Sequence, residues 1–204
     1  MTSATPDPAL AESYRILRSR LDLSHLPPLS RAVTEHVICA TADFEYVTDL
    51  VCDELALASG LAALRRGAAV VADGPTVEAG ISGYPVICKA GDSLAGRLAR
   101  TTNITVSAAG IRLAFTAAGP GAVWLAGGAP DALAEIMARE VEPALVIGVP
   151  VGLVGAAEAK DMLRHSGLPS LTNISEKGGP AVAVAAFEVL LAMAAAPQED
   201  SRAR

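Results

Sequence analysis

The sequence predicts a single α/β domain built on a mostly parallel, five-stranded, Rossmann-like sheet with helices on both faces, preceded by two N-terminal helices. Three observations carry that reading. From about Asp53 onward, short runs rich in Val and Ile alternate with longer Ala- and Leu-rich segments, the order of repeated strand–helix units. The candidate strands are continuously apolar, which suits strands covered on both faces. Gly and Pro fall between the segments, where the chain must turn.

The strand candidates are AAVVA (68–72), YPVIC (84–88), GAVWLA (121–126), ALVIGV (144–149) and PSLTNI (169–174). Between them the sequence predicts helices over ELALASGLAALRR, stopped by Gly67, then SLAGRLARTT, SAAGIRLAFTAAG and PDALAEIMARE, with Pro130 in its first turn. AAEAKDMLRHSG and PAVAVAAFEVLLAMAA complete the set. Ahead of these, two helices are expected at roughly 8–23 and 29–39, broken by Pro27-Pro28. No internal repeat or linker is visible, so residues 1–204 read as one domain, with a polar tail expected to fray from about residue 197.

Composition narrows the function classes. At 204 residues, 51% hydrophobic and 19% charged, the chain is globular rather than disordered or fibrous. Its formal net charge of −6 and pI near 5.1 leave no basic footprint for nucleic acid. A mean hydropathy of +0.40 makes a membrane span worth testing. The apolar run between Glu142 and Glu158 is interrupted by Pro143, Pro150, Gly148, Gly152 and Gly155, and the C-terminal run is split by Glu188. Both read as buried elements, and no membrane partner is expected. Cys39, Cys52 and Cys88 are odd in number and lack C-x-x-C spacing, and His25, His36 and His165 form no ligand pattern with them. No metal site is expected. Sparse cysteines and an N-terminus without a secretory pattern point to the cytoplasm.

In open α/β sheets, ligands bind beyond the carboxyl ends of the strands. That rule selects Asp73 after the first predicted strand, Gly127-Gly128 after the third, the Gly148 to Gly155 stretch after the fourth, and Asn173 to Gly179 after the fifth. Glycines and helix N-termini there suit a carboxylate or phosphate; they equally suit tight turns alone. No segment matches a P-loop or G-x-G-x-x-G, which sets the sequence against a generic nucleotide-binding protein. Arg15, Arg18 and Arg20 form a local basic cluster within the acidic chain.

At these residues a family resemblance emerges. GVPVGLVGAAEAKDML (148–163) resembles the most recognisable stretch of the precorrin-8X methylmutases, isomerases of corrin-ring assembly in cobalamin biosynthesis. ESYRILRSRLDLS (12–24), VICATADFEY (37–46), ALRRGAAVVAD (63–73), TVSAAGIRLA (105–114), GGAPDAL (127–133) and EKGGPAVAVAAF (176–187) follow the family's order. The resemblance implies a homodimeric enzyme without cofactor that moves a methyl from C-11 to C-12 of precorrin-8X or cobalt-precorrin-8, a tetrapyrrole bearing many carboxylates. Such a protein must orient the macrocycle and supply a proton.

The resemblance also assigns residues. A histidine donates the proton in the family; here its place is taken by Cys39, with His36 one turn earlier as a substitute and Asp43 as an orienting acceptor. Ser13, Arg18, Asp73, Ser107, Gly127, Gly128, Gly152, Gly155, Lys177, Gly178 and Gly179 are the implied substrate contacts. Ser13 would donate to the ring periphery, and Arg18 would meet a carboxylate. Glu158 and Lys160 read as first-turn helix residues. Three further departures from the family pattern fall at Val106, Glu176 and Pro180, where Glu176 puts a negative charge in a loop expected to meet a polyanion. Two readings therefore stand side by side: an active methylmutase, and a relative that holds a corrinoid or a pathway partner without turnover.

Overall fold

In the computed structural model, residues 8–139 and 141–196 are described; the expected frayed tail lies outside them. In chain order the elements are α1 (Pro8–Arg20), α2 (Pro28–Thr41), α3 (Tyr46–Asp49), β1 (Leu50–Cys52), α4 (Glu54–Arg65), β2 (Val70–Ala72), α5 (Pro75–Gly80) and β3 (Val86–Cys88). They continue with α6 (Ser93–Thr102), α7 (Val106–Ala118), β4 (Val123–Ala126), α8 (Pro130–Ala138), β5 (Leu145–Gly148), α9 (Ala156–His165), β6 (Ser170–Asn173) and α10 (Pro180–Ala195). Seven helix starts have a local cause. Pro28, Pro75, Pro130 and Pro180 occupy first-turn positions, while Asp53, Asp92 and Thr105 accept backbone N–H groups as caps.

All five predicted strands form, but the sheet has six, in the order β1-β6-β5-β4-β2-β3. The additional strand, β1, pairs antiparallel with β6, and every other pairing is parallel. It is three residues long and flanked by Asp49 and Asp53, too short to show a period of its own. The first helix ends at Arg20, short of the expected residue 23, and the second extends to Thr41.

Alternate strand residues feed two cores. Val70, Ala72, Val123, Leu125, Leu145 and Ile147 pack with α2, α4 and α10. Val71, Trp124, Ala126 and Val146 pack with α7, α8 and α9 on the other face. This is why the strands read as unbroken apolar runs: both directions of the pleat are buried. Helix α10 lies between the sheet and α2, with α4 and α5 beside it, and its apolar residues point all round. Helices α1 and α2 thus form an outer layer. Beyond α7, α6 closes a small third cluster of Ala95, Ala99 and Ala109.

Candidate functional site

The outer layer holds the first group of predicted residues. The face of α1 carrying Ser13, Ile16, Leu17 and Arg20 meets the C-terminal end of α2 at Ile38, Cys39 and Ala42, and Phe44 closes the hollow between them. Its volume is about 200 Å³, below the roughly 300–1,000 Å³ of a drug-sized ligand pocket. That is room for an edge or a side chain of a large ligand, and not for a whole four-ring macrocycle. Cys39 is partly exposed and lines this wall. Burial, and next the charge of Glu35, push the thiol pKa up. The last turn of a helix adds to this, because its carbonyl end disfavours an anion. Cys39 is a protonated thiol at neutral pH, unlike the activated cysteines found near cations or helix N-termini.

His36 sits on the same helix, one turn before Cys39. Its Nδ1 shares a 2.6 Å hydrogen bond with the phenol of Tyr14 on α1. Burial lowers the imidazole below its ordinary value and raises the phenol to about 12, so both groups are neutral. Arg18, the expected carboxylate partner, is already engaged: it donates to both oxygens of Glu35, at 3.1 and 2.6 Å, and its guanidinium lies 5.3 Å from the Tyr14 ring centre. Arg20 lines the hollow in its place, held 5.6 Å from the ring centre of Phe44. The basic cluster was legible in the sequence; which arginine faces the hollow follows from how α1 is rotated on α2.

Asp43 and Lys177, 134 residues apart, are brought together. The ammonium of Lys177 donates to Asp43 at 2.7 Å and also to Glu45. Chiefly through that hydrogen bond the Asp43 carboxyl is held below its ordinary value, and the lysine is raised in return. Lys177 belongs to the loop from β6 to α10, which is tied to the β5 loop: Gly152 N–H donates to Glu176 O at 3.1 Å, and Gly179 N–H to Val149 O at 2.7 Å. Gly178 adopts a φ of +139°, and a Cβ there would lie 2.2 Å from Val149 O. Only glycine fits this crossing. The Glu176 side chain is exposed at the rim, while its carbonyl serves the loop contact.

Asp73 and Gly127-Gly128 lie at the ends of β2 and β4, the neighbours whose following helices leave for opposite faces of the sheet. Such a switch point is the usual ligand crevice. Here the protein fills it itself. Asp73 is fully buried, and its Oδ2 accepts the N–H groups of Gly128 at 2.7 Å and Ala129 at 3.2 Å. Burial raises its pKa, and its Oδ1 is without a partner among the described residues. A Cβ on Gly127 would meet Ala183, Gly179 O and Pro180 within 3.1 Å. Asp73 and Gly127, both expected as substrate contacts, are buried where they seat the α8 N-terminus and α10, and of the three residues Gly128 is exposed. Gly155 takes φ +78° to start α9. Ser107 stands in the first turn of α7, across the sheet from α1 and α2, and does not join the hollow.

Sequence reasoning missed Tyr14, Glu35 and Asp49, whose roles arise from chain-distant contacts, and undervalued Lys160. A larger hollow, about 460 Å³, opens at the N-terminal end of β6 between Val51, Asp53, Ser59, Arg164 and Ser170; no predicted site residue lines it. Among the described residues, no group of three or more His, Cys, Asp or Glu side chains is placed to hold a metal ion, and no helix is long and apolar enough to cross a membrane. Chemically, the α1–α2 hollow offers a neutral thiol, the Ser13 hydroxyl and the Arg20 guanidinium, with the Lys177–Asp43 ion pair next to Ala42 and Phe44 of its lining.

The profile described as CbiC: Precorrin-8X methylmutase matches residues 9–193. A cobalt-precorrin-8 methylmutase of Methanothermobacter thermautotrophicus is 36% identical over 188 residues, covering 89% of this chain and 90% of the relative. A precorrin-8X methylmutase of Pseudomonas aeruginosa is 34% identical over 191 residues, covering 88% and 91%. Among solved structures, precorrin-8X methylmutase from Thermus thermophilus superposes with a TM-score of 0.81 at 30% identity, covering 90% of this chain and 94% of that one.

Proposed function

The chain belongs to the precorrin-8X methylmutase family, a family of isomerases, and from that premise we propose that it moves a methyl from C-11 to C-12 of precorrin-8X or cobalt-precorrin-8. The observation that carries the reading is Cys39 on the wall of a hollow it shares with Ser13 and Arg20. In the shift, the C-11 to methyl bond breaks as the C-12 to methyl bond forms, so the protein has no external group to transfer. Its work is orientation and proton supply. Arg20 meets a peripheral carboxylate, the Ser13 hydroxyl, which donates to Ala9 O at 2.9 Å, accepts from another polar edge, and the protonated Cys39 thiol lends a proton to the ring and recovers it afterwards. His36, neutral and bonded to Tyr14, stands one turn behind it. No cofactor is invoked.

We extend the proposal to a homodimer in the cytoplasm. Leu153, Val154 and Ile174 are exposed on the β5 and β6 loops, which the Gly152 N–H to Glu176 O bond ties together, and such apolar surface favours self-association.

Mixing the purified protein with precorrin-8X and with its cobalt form, and following the absorption spectrum of the product, tests the activity. Turnover supports it. Binding with no spectral conversion would replace it by the second reading, a family member that holds a corrinoid without chemistry. Absence of both binding and conversion would remove the two together.

A further inference from the structure

We propose that Lys160 is a positioning residue for the site: from inside the protein it shapes the loop that carries Lys177 to Asp43 at the lip of the Cys39 hollow. The inference rests on the reading of that hollow as the substrate site. Lys160, on α9, is completely buried. Its ammonium spends its three hydrogens on three acceptors of one short segment: Asn173 Oδ1 at 3.0 Å, Lys177 O at 2.6 Å and Ser175 O. Burial pulls the lysine down to about 8, with Asp49 and Glu176 opposing that shift and Arg164 adding to it. Among the described residues no carboxylate bonds the ammonium directly; it is solvated by loop oxygens.

The same segment is gripped from the other side. Asn173, also fully buried, donates to Asp49 Oδ2 and to Lys177 O, both at 2.9 Å. Asp49 accepts the N–H groups of Ile174 at 3.1 Å and Ser175 at 2.7 Å, and the Ser175 hydroxyl at 2.8 Å. The backbone of residues 173–177 thus runs between one buried cation and one partly buried anion. A buried ammonium is costly to keep, and an apolar residue would fill the same space. The lysine converts that cost into one defined loop conformation, and the side chain leaving the loop at its end is Lys177. That side chain reaches Asp43, which sits between the hollow-lining residues Ala42 and Phe44. Lys160 touches neither substrate nor Cys39; it acts through Lys177.

The carboxyl titration of Asp43, followed by carbon NMR in the full chain, reads this relay without substrate. In the wild type, Lys177 holds Asp43 below the ordinary aspartate value. Lys177→Met releases that hold. Lys160→Met is expected to move Asp43 upward in the same direction, and the double variant no further than Lys177→Met alone. An unmoved Asp43 in folded Lys160→Met, or a double variant equal to the sum of the singles, would overturn the proposal. Where the Met variant does not fold, Lys160→Gln is titrated instead. In the wild-type protein itself, Lys160 ammonium hydrogens that exchange as fast as those of a solvent-exposed lysine would also overturn it. With substrate, Lys160→Met is expected to lower kcat about as far as Lys177→Met does. A wild type that shows the Asp43 relay but no turnover would sink the assigned activity and leave the loop mechanism standing.

Discussion

The phenol of Tyr14 and Nδ1 of His36 lie 2.6 Å apart, joining the first helix to the second one turn before Cys39. The phenol is raised to about 12 and the imidazole is lowered, so both are neutral, and we assign Tyr14 as the donor and Nδ1 as the acceptor. That assignment leaves Nε2 as the protonated nitrogen.

Nitrogen NMR at pH 7 is therefore expected to show His36 as the neutral Nε2–H tautomer with Nδ1 as acceptor. Because its folded pKa lies below the unfolded one, the stability linked to His36 is present above the ordinary value of about 6.5 and is lost as pH falls through the folded value. Tyr14→Phe removes the bond at a cost of about 1 kcal/mol. An imidazolium signal at pH 7 would contradict this arrangement.

Cys39→Ala should fold normally, since the side chain is small and partly exposed, yet lower kcat by about 10²- to 10⁴-fold, the contribution of a positioned general acid. Thiol-specific reagents should label Cys39 slowly at pH 7 and faster only as pH rises beyond the ordinary thiol range, because its pKa is pushed upward. Unchanged turnover in Cys39→Ala would transfer the proton-donating role elsewhere. If the wild type binds but does not convert substrate, Cys39→His is the substitution expected to restore conversion.

Glu35 is almost completely buried and accepts from Arg18 and Arg31. Burial opposes its ionisation, but the two arginines outweigh it and hold the carboxyl below its ordinary value. A lowered acid contributes stability above the unfolded pKa and loses it as pH falls through the folded one. Glu35→Gln should cost about 1–2 kcal/mol at pH 7, a modest figure because both arginines are partly in water. The difference should shrink in urea titrations carried below pH 4. A gap that persists unchanged at acid pH would refute the pairing.

Gly178→Ala should cost about 2–3 kcal/mol, because the new Cβ meets the carbonyl of Val149 at a φ that side chains rarely adopt. Gly67→Ala is the matched control: its φ is +76°, but nothing lies within 4 Å of the added Cβ. It should lose only about 1 kcal/mol. Equal urea midpoints for the two variants would show that the crossing of the β5 and β6 loops is not rigid.

The sequence by itself determined the elements that repeat locally. Five strands, the helices between them and their Pro or Asp starts all follow from short-range patterns, because a residue's neighbours in sequence are also its neighbours in a helix turn or a pleat. The family segments likewise appear in order along the chain. Strand β1 and the short helices α3 and α5 escaped, being too brief to carry a period and formed because a neighbour is in place. Tertiary structure alone decided which titratable groups meet. Asp43 finds Lys177 across 134 residues, and Lys160 closes on the Ser175 and Lys177 carbonyls. Arg18 turns to Glu35 and leaves the hollow to Arg20. Asp73 meets the N–H groups of Gly128 and Ala129, 55 and 56 residues on. Charges and hydrogen bonds act through space over a few ångströms, so their partners are set by how the layers pack, which no single stretch of sequence spells out.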